Sequence, residues 1–343
     1  MPPKPRHRRR LASLLLASIA ALGVVGKAQE VAPRPVLDDR LPMRELKLAN
    51  GVKVIADINY AVVPGFRPLT LDVYLPGSAP KAGVPGAPLL VFIHGGGWSA
   101  GHSRQSAAFA DWPGVLASFA ARGYVVASLN YRLSGEAPAP AAIHDVKNAV
   151  RWLRAHAERF AIDPQHVGVF GGSAGGQLAA LLGTSCGVES LAAPIYADQN
   201  GAPAPQGPPP SDCVQSVVVW YGIFDFAPML PPTVKTGAHG YLGCEPGKCA
   251  AAQIAAQSAT THVDHNDPPF LLIHGERDKT VPVAQSIAFA AALTKVGVRA
   301  DLEVIPDVDH SFIGADAATT RAANLLALRK TVDFFDQTLR GSR

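Results

Sequence analysis

Residues 167–182 read Val-Gly-Val-Phe-Gly-Gly-Ser-Ala-Gly-Gly-Gln-Leu-Ala-Ala-Leu-Leu, which sets Ser173 between Gly171 and Gly175. A serine hydroxyl is a weak nucleophile, so it must stand on a tight turn where a base can reach it. Flanking glycines permit that turn, because side chains there would meet the neighbouring strand and helix. In a chain with 32 glycines the bare G-x-S-x-G pattern is a weak signal. Its setting is more specific, since an apolar strand runs into it and an apolar-periodic helix opens from it, as a nucleophile elbow requires. The chemistry open to such a serine is covalent attack on a carbonyl carbon.

Attack of that kind leaves negative charge on an oxygen. His94-Gly95-Gly96-Gly97-Trp98 follows the fully apolar run 89–93 and presents unobstructed backbone N–H groups. Those of Gly96 and Gly97, with that of Ala174 directly after the nucleophile, are expected to form an oxyanion hole. A glycine run can be a flexible linker, but one placed between a buried strand and a tryptophan has no such use. His94, on a rigid strand end, is expected to hold the loop by hydrogen bonding rather than to shuttle protons.

A serine of this kind needs a base, and an acid that fixes the tautomer of that base, in the chain order Ser, acid, His. His274 closes an apolar strand directly before Gly275, and His310 is the only histidine after it. His310 is therefore the expected general base. Asp278, in Leu272-Ile-His-Gly-Glu-Arg-Asp-Lys-Thr-Val-Pro, lies a few residues past a strand end and just before a helix, where ligand chemistry collects in open α/β folds. It is the preferred acid, with Asp225 the serious competitor and Glu276 a lesser one. The bland role for each is a helix cap or a surface carboxylate. His144 and His156 fall in a helix and read as packing or surface residues. His262, Asp264, His265 and Asp267 match no dedicated metal spacing and read as a structural loop. With no phosphate loop and no dinucleotide fingerprint, no cofactor and no metal are expected.

These residues must be carried by elements that bring them together. Runs at 52–58, 69–75, 89–93, 124–129, 167–170, 214–221, 270–273 and 301–305 read as strands, and from residue 89 onward they alternate with helices. That alternation predicts a mostly parallel sheet covered on both faces. One helix is clear: Ile143, Val146, Val150, Leu153, Ala157 and Phe160 recur at spacings of three and four, and Asp163-Pro164 is expected to stop it.

At 48% hydrophobic and 17% charged residues, the 343-residue chain has material for a substantial core and too little charge for disorder. Residues 1–28 combine a basic start, an apolar stretch and Gly26-Lys27-Ala28, and read as a secretory signal peptide cut after Ala28. They hold six Lys/Arg and no Asp/Glu, leaving 25 basic against 27 acidic residues in 29–343. The net charge of that part is −2, so no nucleic-acid partner is expected. Residues 29–343 read as one domain with Pro-rich, Cys-containing insertions at about 186–213 and 225–262. Export favours disulfides over thiol metal sites. The preferred pairs are Cys186 with Cys213 and Cys244 with Cys249, the first closing a loop whose cross-link would contribute about 3–4 kcal/mol in the chain-entropy model.

With Ser173, 94–98, Asp278 and His310 in place, the chain resembles the α/β-hydrolase superfamily and, within it, esterases with an HGGG loop. The closer resemblance is to bacterial carboxylesterases of the bifunctional feruloyl and acetylxylan esterase type. The supporting stretches are Leu71-Asp-Val-Tyr-Leu-Pro, Asn130-Tyr-Arg-Leu, Pro140-Ala-Ala-Ile-His-Asp-Val-Lys-Asn-Ala-Val-Arg-Trp-Leu-Arg, Gly171-Gly-Ser-Ala-Gly-Gly, Asp267-Pro-Pro-Phe-Leu-Leu-Ile-His-Gly and His310-Ser-Phe. The resemblance implies an eight-stranded sheet, ester hydrolysis and no cofactor, with the two insertions shaping the acyl and alcohol pockets. Hormone-sensitive-lipase-like esterases share the glycine loop, but begin with a helical cap where residues 29–75 here read as strands and turns. Amide hydrolysis, as in the arylformamidases, and a hydrolase fold that has become a binding protein are the rival functions. The second usually lacks a triad member, and none is missing here.

Overall fold

The computed structural model describes residues 44–78, 86–196 and 209–340, so the leader at 1–28 and the middle of the first insertion lie outside the described residues. The run Leu89-Leu-Val-Phe-Ile has no polar position to turn toward water, and every one of its residues is fully buried. Its odd members Leu89, Val91 and Ile93 pack into one apolar cluster and its even members Leu90 and Phe92 into another, the period-two split of a strand covered on both faces.

That strand, β4 (Ala87–Ile93), lies fifth in a nine-stranded sheet of order β1-β2-β3-β5-β4-β6-β7-β8-β9. The others are β1 (Arg44–Lys47), β2 (Lys53–Ala61), β3 (Leu69–Leu75), β5 (Val125–Leu129), β6 (Ile162–Gly172), β7 (Ser216–Trp220), β8 (Phe270–Gly275) and β9 (Ala300–Ile305). The pairs from β5 through β9 are parallel, and the three pairs linking β1, β2, β3 and β5 are antiparallel. The helices are α1 (Trp112–Ala121), α2 (Ala141–Ala155), α3 (Ala157–Phe160), α4 (Ala174–Thr184), α5 (Gly237–Leu242), α6 (Ala251–Gln257), α7 (Ala284–Lys295) and α8 (Ala317–Leu339). Helices α2 and α4 supply one cluster, α1 and α8 the other. Among the described residues no helix is long and apolar enough to cross a membrane.

Two details differ from the sequence reading. The sheet has nine strands, not eight, because Arg-Glu-Leu-Lys at 44–47 pairs antiparallel with β2, and four residues of that composition carry no usable alternation. The helix expected to run on to Asp163-Pro164 is broken at His156 and stops at Ala161, whose left-handed φ of 52° turns the chain directly into β6. Its stripe holds: Ile143, Val146, Val150, Leu153 and Phe160 are all buried.

The motif stretches outside the loops that carry 94–98, Ser173, Asp278 and His310 have structural work. Arg132 and Asp145 are both buried and joined through several hydrogen bonds, the shortest from Nη2 to Oδ1 at 2.6 Å. They tie the chain after β5 to α2. Asp145→Asn leaves the guanidinium buried without a counter-charge, and is expected to cost about 3–5 kcal/mol of folding stability. Urea unfolding followed by circular dichroism measures it, and a loss below about 1 kcal/mol, as at an exposed pair, contradicts it. Both preferred disulfides are present, Cys186–Cys213 and Cys244–Cys249. The first joins the end of α4 to the segment before β7, where the buried Lys147 ammonium also donates to Ser185 O at 2.8 Å.

Candidate active site

In an open sheet of this kind the C-terminal ends of the parallel strands face one side, and the loops that leave them meet there. The loops after β4, β6, β8 and β9 carry 94–98, Ser173, Asp278 and His310.

Ser173 sits between β6 and α4 with φ 56° and ψ −122°, a conformation uncommon for a residue with a side chain. The turn needs glycine on both sides because backbone crowds its flanks: a Cβ on Gly175 would lie 2.1 Å from Ile93 O, and one on Gly171 2.6 Å from the Gly175 carbonyl. At this turn the Ser173 hydroxyl lies within hydrogen-bond reach of His310. His310 Nε2 lies 3.0 Å from Ser173 Oγ, and His310 Nδ1 lies 2.7 Å from Asp278 Oδ2. A carboxylate can only accept, so the proton is on Nδ1 and Nε2 is free to accept from the serine.

Asp278 is held from both sides, with Oδ1 accepting the amides of Thr280 and Val281, each at 2.8 Å. Burial pushes its carboxyl up, but hydrogen bonds from His274, His310 and the Val281 amide outweigh burial and hold it well below the usual carboxylate range. The ring of Tyr221 meets His310 edge-on at 4.7 Å, and its phenol is pushed far up, chiefly by burial.

Gly96 and Gly97 line a cavity of about 450 Å3 beside Ser173, together with Ala100, Gln105, Ala107 and Thr280. Ala174 is buried behind the serine, at the first position of α4, where the helix offers its N–H no acceptor. Among the described residues none of these three amides donates to another backbone carbonyl. Gly96 has φ 111°, and a Cβ there would fall 2.2 Å from Ala100 O, whereas at Gly97 nothing lies nearer than 3.9 Å. Gly96→Ala is therefore expected to lower kcat for p-nitrophenyl acetate about 10²–10³-fold by moving the amides. Gly97→Ala carries only the left-handed penalty of about 1–2 kcal/mol and serves as its comparison. Steady-state kinetics of the two variants check this, and equal kcat values contradict it.

Trp98 explains why the glycine loop is not loose. Its indole N–H donates to Gln177 Oε1 at 3.0 Å, Gln177 Nε2 donates to Gln257 O at 3.0 Å, and Tyr241 stacks on the indole at 4.8 Å while its hydroxyl donates to Gln257 Oε1 at 2.7 Å. The second insertion, 225–262, thus braces the loop from behind. No described residue of 186–213 or 225–262 lines the cavity at Ser173, whose walls come from 95–107, Gly172, Tyr221, Thr280 and 310–311. Sequence reading missed Tyr241, Gln257 and Gln177 because a ring stacked on Trp98 from a distant insertion, and amide bonds spanning about 80 residues, leave no local pattern.

The other candidates fall elsewhere. Asp225 Oδ1 accepts from Ala227 N in its own turn, and Glu276 Oε2 faces Asp307 N at 3.4 Å. His94 is buried, stacks on Tyr131 at 4.3 Å and donates from Nδ1 to Gly95 O. Burial pushes its imidazole down to about 4, as suits a structural neutral ring. His156 stacks on Trp152. His262 bonds Ala256 O, and Asp264 and Asp267 cap a local turn. Among the described residues no three His, Cys, Asp or Glu side chains gather as a metal set.

A mostly parallel sheet, with a serine elbow after a central strand and an acid and a histidine on the loops after β8 and β9, defines an α/β-hydrolase fold. The family model BD-FAE matches residues 71–293, and the chain belongs to that family. It is 31% identical over 281 residues to Esterase LipQ of Mycobacterium tuberculosis, covering 79% of this chain and 60% of LipQ. Among solved structures it is similar to a bifunctional GH43-CE protein of Bacteroides eggerthii, with TM-score 0.67, 30% identity and coverage of 85% of this chain and 38% of that one. A truncated carbohydrate esterase from gut microbiota matches with TM-score 0.65 and 26% identity, covering 84% of this chain and 96% of that one. The chain spans less than two thirds of the length of LipQ and of the GH43-CE protein.

Proposed function

We propose that the protein is a secreted serine carboxylesterase that cleaves short-chain acyl, acetyl or feruloyl esters through an acyl-enzyme. The observation that carries this reading is the unbroken line from Asp278 through His310 to Ser173, beside a cavity walled by amides without backbone acceptors. His310 Nε2 takes the Ser173 proton as Oγ attacks the ester carbonyl, and Asp278 supports the imidazolium that forms. The amides of Gly96, Gly97 and Ala174 receive the oxyanion, and His310 returns the proton to the leaving alkoxide. Water, activated by the same imidazole, then releases the acid. The names of the relatives support ester chemistry, and the two disulfides and the leader pattern support an oxidising destination. On this reading 29–343 forms one catalytic domain after cleavage at Ala28.

A panel running from p-nitrophenyl acetate to octanoate, with methyl ferulate, acetylated xylan and N-formyl anilines, tests the proposal. Esters are expected to be cleaved and the amides to be poorer by kcat/KM. Faster turnover of the amides, or no ester cleaved, overturns it.

A further inference from the structure

His274 is the last large side chain of β8, on a strand that is otherwise apolar and fully covered. A buried imidazole there is costly unless both nitrogens are satisfied. Nε2 lies 2.8 Å from Val281 O and 3.2 Å from Asp278 Oδ2, the same oxygen that receives His310 Nδ1. Both neighbours are acceptors, so Nε2 carries a proton. Nδ1 lies 2.7 Å from Ser286 Oγ, on α7, which is also buried. The turn that bears Asp278 is thereby fastened to β8 and α7 at once: its carboxylate takes two amides from the turn, and His274 binds both the turn's carbonyl and the carboxylate.

Resting on the catalytic reading above, we propose that His274 is a positioning residue, a second imidazole on Asp278 that fixes the carboxylate and draws off part of its charge, with Ser286 setting its ring orientation. It touches neither substrate nor Ser173 and is not a catalytic residue. Among the described residues, the other titratable groups facing this assembly are Tyr221, which burial keeps as a phenol, and Asp309, paired with Lys279 and bonded to the His310 amide. Neither contacts His274. Removing the His274 donor leaves more negative charge on Asp278 to favour the protonated form of His310, so the acid limb of kcat/KM moves to higher pH.

The test is the pH profile of kcat/KM for p-nitrophenyl acetate in wild type, His274→Leu, His274→Gln and Ser286→Ala, with thermal melting of each. His274→Leu is expected to lower kcat about 10–100-fold at near-constant KM, as a slight misplacement of the reacting groups does, and to raise the acid limb. The Gln side chain, whose amide can donate from a similar position, is expected to restore the limb, and Ser286→Ala to shift it in the same direction by less. Parallel losses in the Leu and Gln variants with the limb unmoved would mark a packing role and overturn the inference. Should His274→Leu fail to fold, an unmoved limb in Ser286→Ala does the same. An inactive wild type sinks the catalytic reading itself, whereas an active wild type with unmoved limbs sinks only the role of His274.

Discussion

Ser173→Ala is expected to lower kcat toward p-nitrophenyl acetate about 10⁶-fold while the protein stays folded. Only one oxygen is lost, and alanine occupies the same φ of 56° at no greater strain than serine, so the elbow has no reason to rearrange. The amides at Gly96, Gly97 and Ala174 remain, so a residual acceleration of about 10³-fold over water is expected to persist if the substrate still binds. Thermal melting and single-turnover kinetics on the variant separate the two effects. Activity within tenfold of wild type would remove Ser173 from the mechanism.

Asp278→Asn is expected to cost about 10⁴-fold in kcat. The geometry dictates which way the new amide faces. Oδ1 receives the amides of Thr280 and Val281, so the carbonyl oxygen of asparagine must stay there, and its NH2 takes the place of Oδ2. That NH2 then points at His310 Nδ1 and forces the imidazole proton onto Nε2, where it faces Ser173 and cannot accept. It also meets the His274 proton, a donor against a donor. Kinetics at neutral pH together with circular dichroism measure the effect, and a loss under tenfold in a folded variant contradicts the assigned tautomer.

The parts of the candidate site written in contiguous residues are legible in the sequence. Ser173 with Gly171 and Gly175, and the loop 94–98, depend on backbone approach over a few residues, which leaves a local signature. His310 and Asp278 follow from chain order and from their place after strands, and the fold sets His310 within hydrogen-bond distance of both Asp278 and Ser173. The parallel sheet is readable because β4, β5, β7, β8 and the second half of β6 are covered on both faces and so are mostly apolar over their buried lengths. β1 is not, since an edge strand of four residues has no core to face. The bracing of Trp98 by Tyr241 and the fastening of Asp278 by His274 were equally invisible. In both, the partner is chosen by three-dimensional proximity, and His274 looked in sequence like no more than the polar end of an apolar strand.

The most direct measurement is peptide mapping by mass spectrometry after reaction with a fluorophosphonate, which bonds to a serine whose proton can be withdrawn. A single adduct on the peptide containing Ser173, lost in His310→Ala while that variant remains folded, is the predicted result. Ester hydrolysis that continues with Ser173 unmodified, or an adduct on another residue that abolishes it, would contradict the assembly of Ser173, His310 and Asp278 as the catalytic unit.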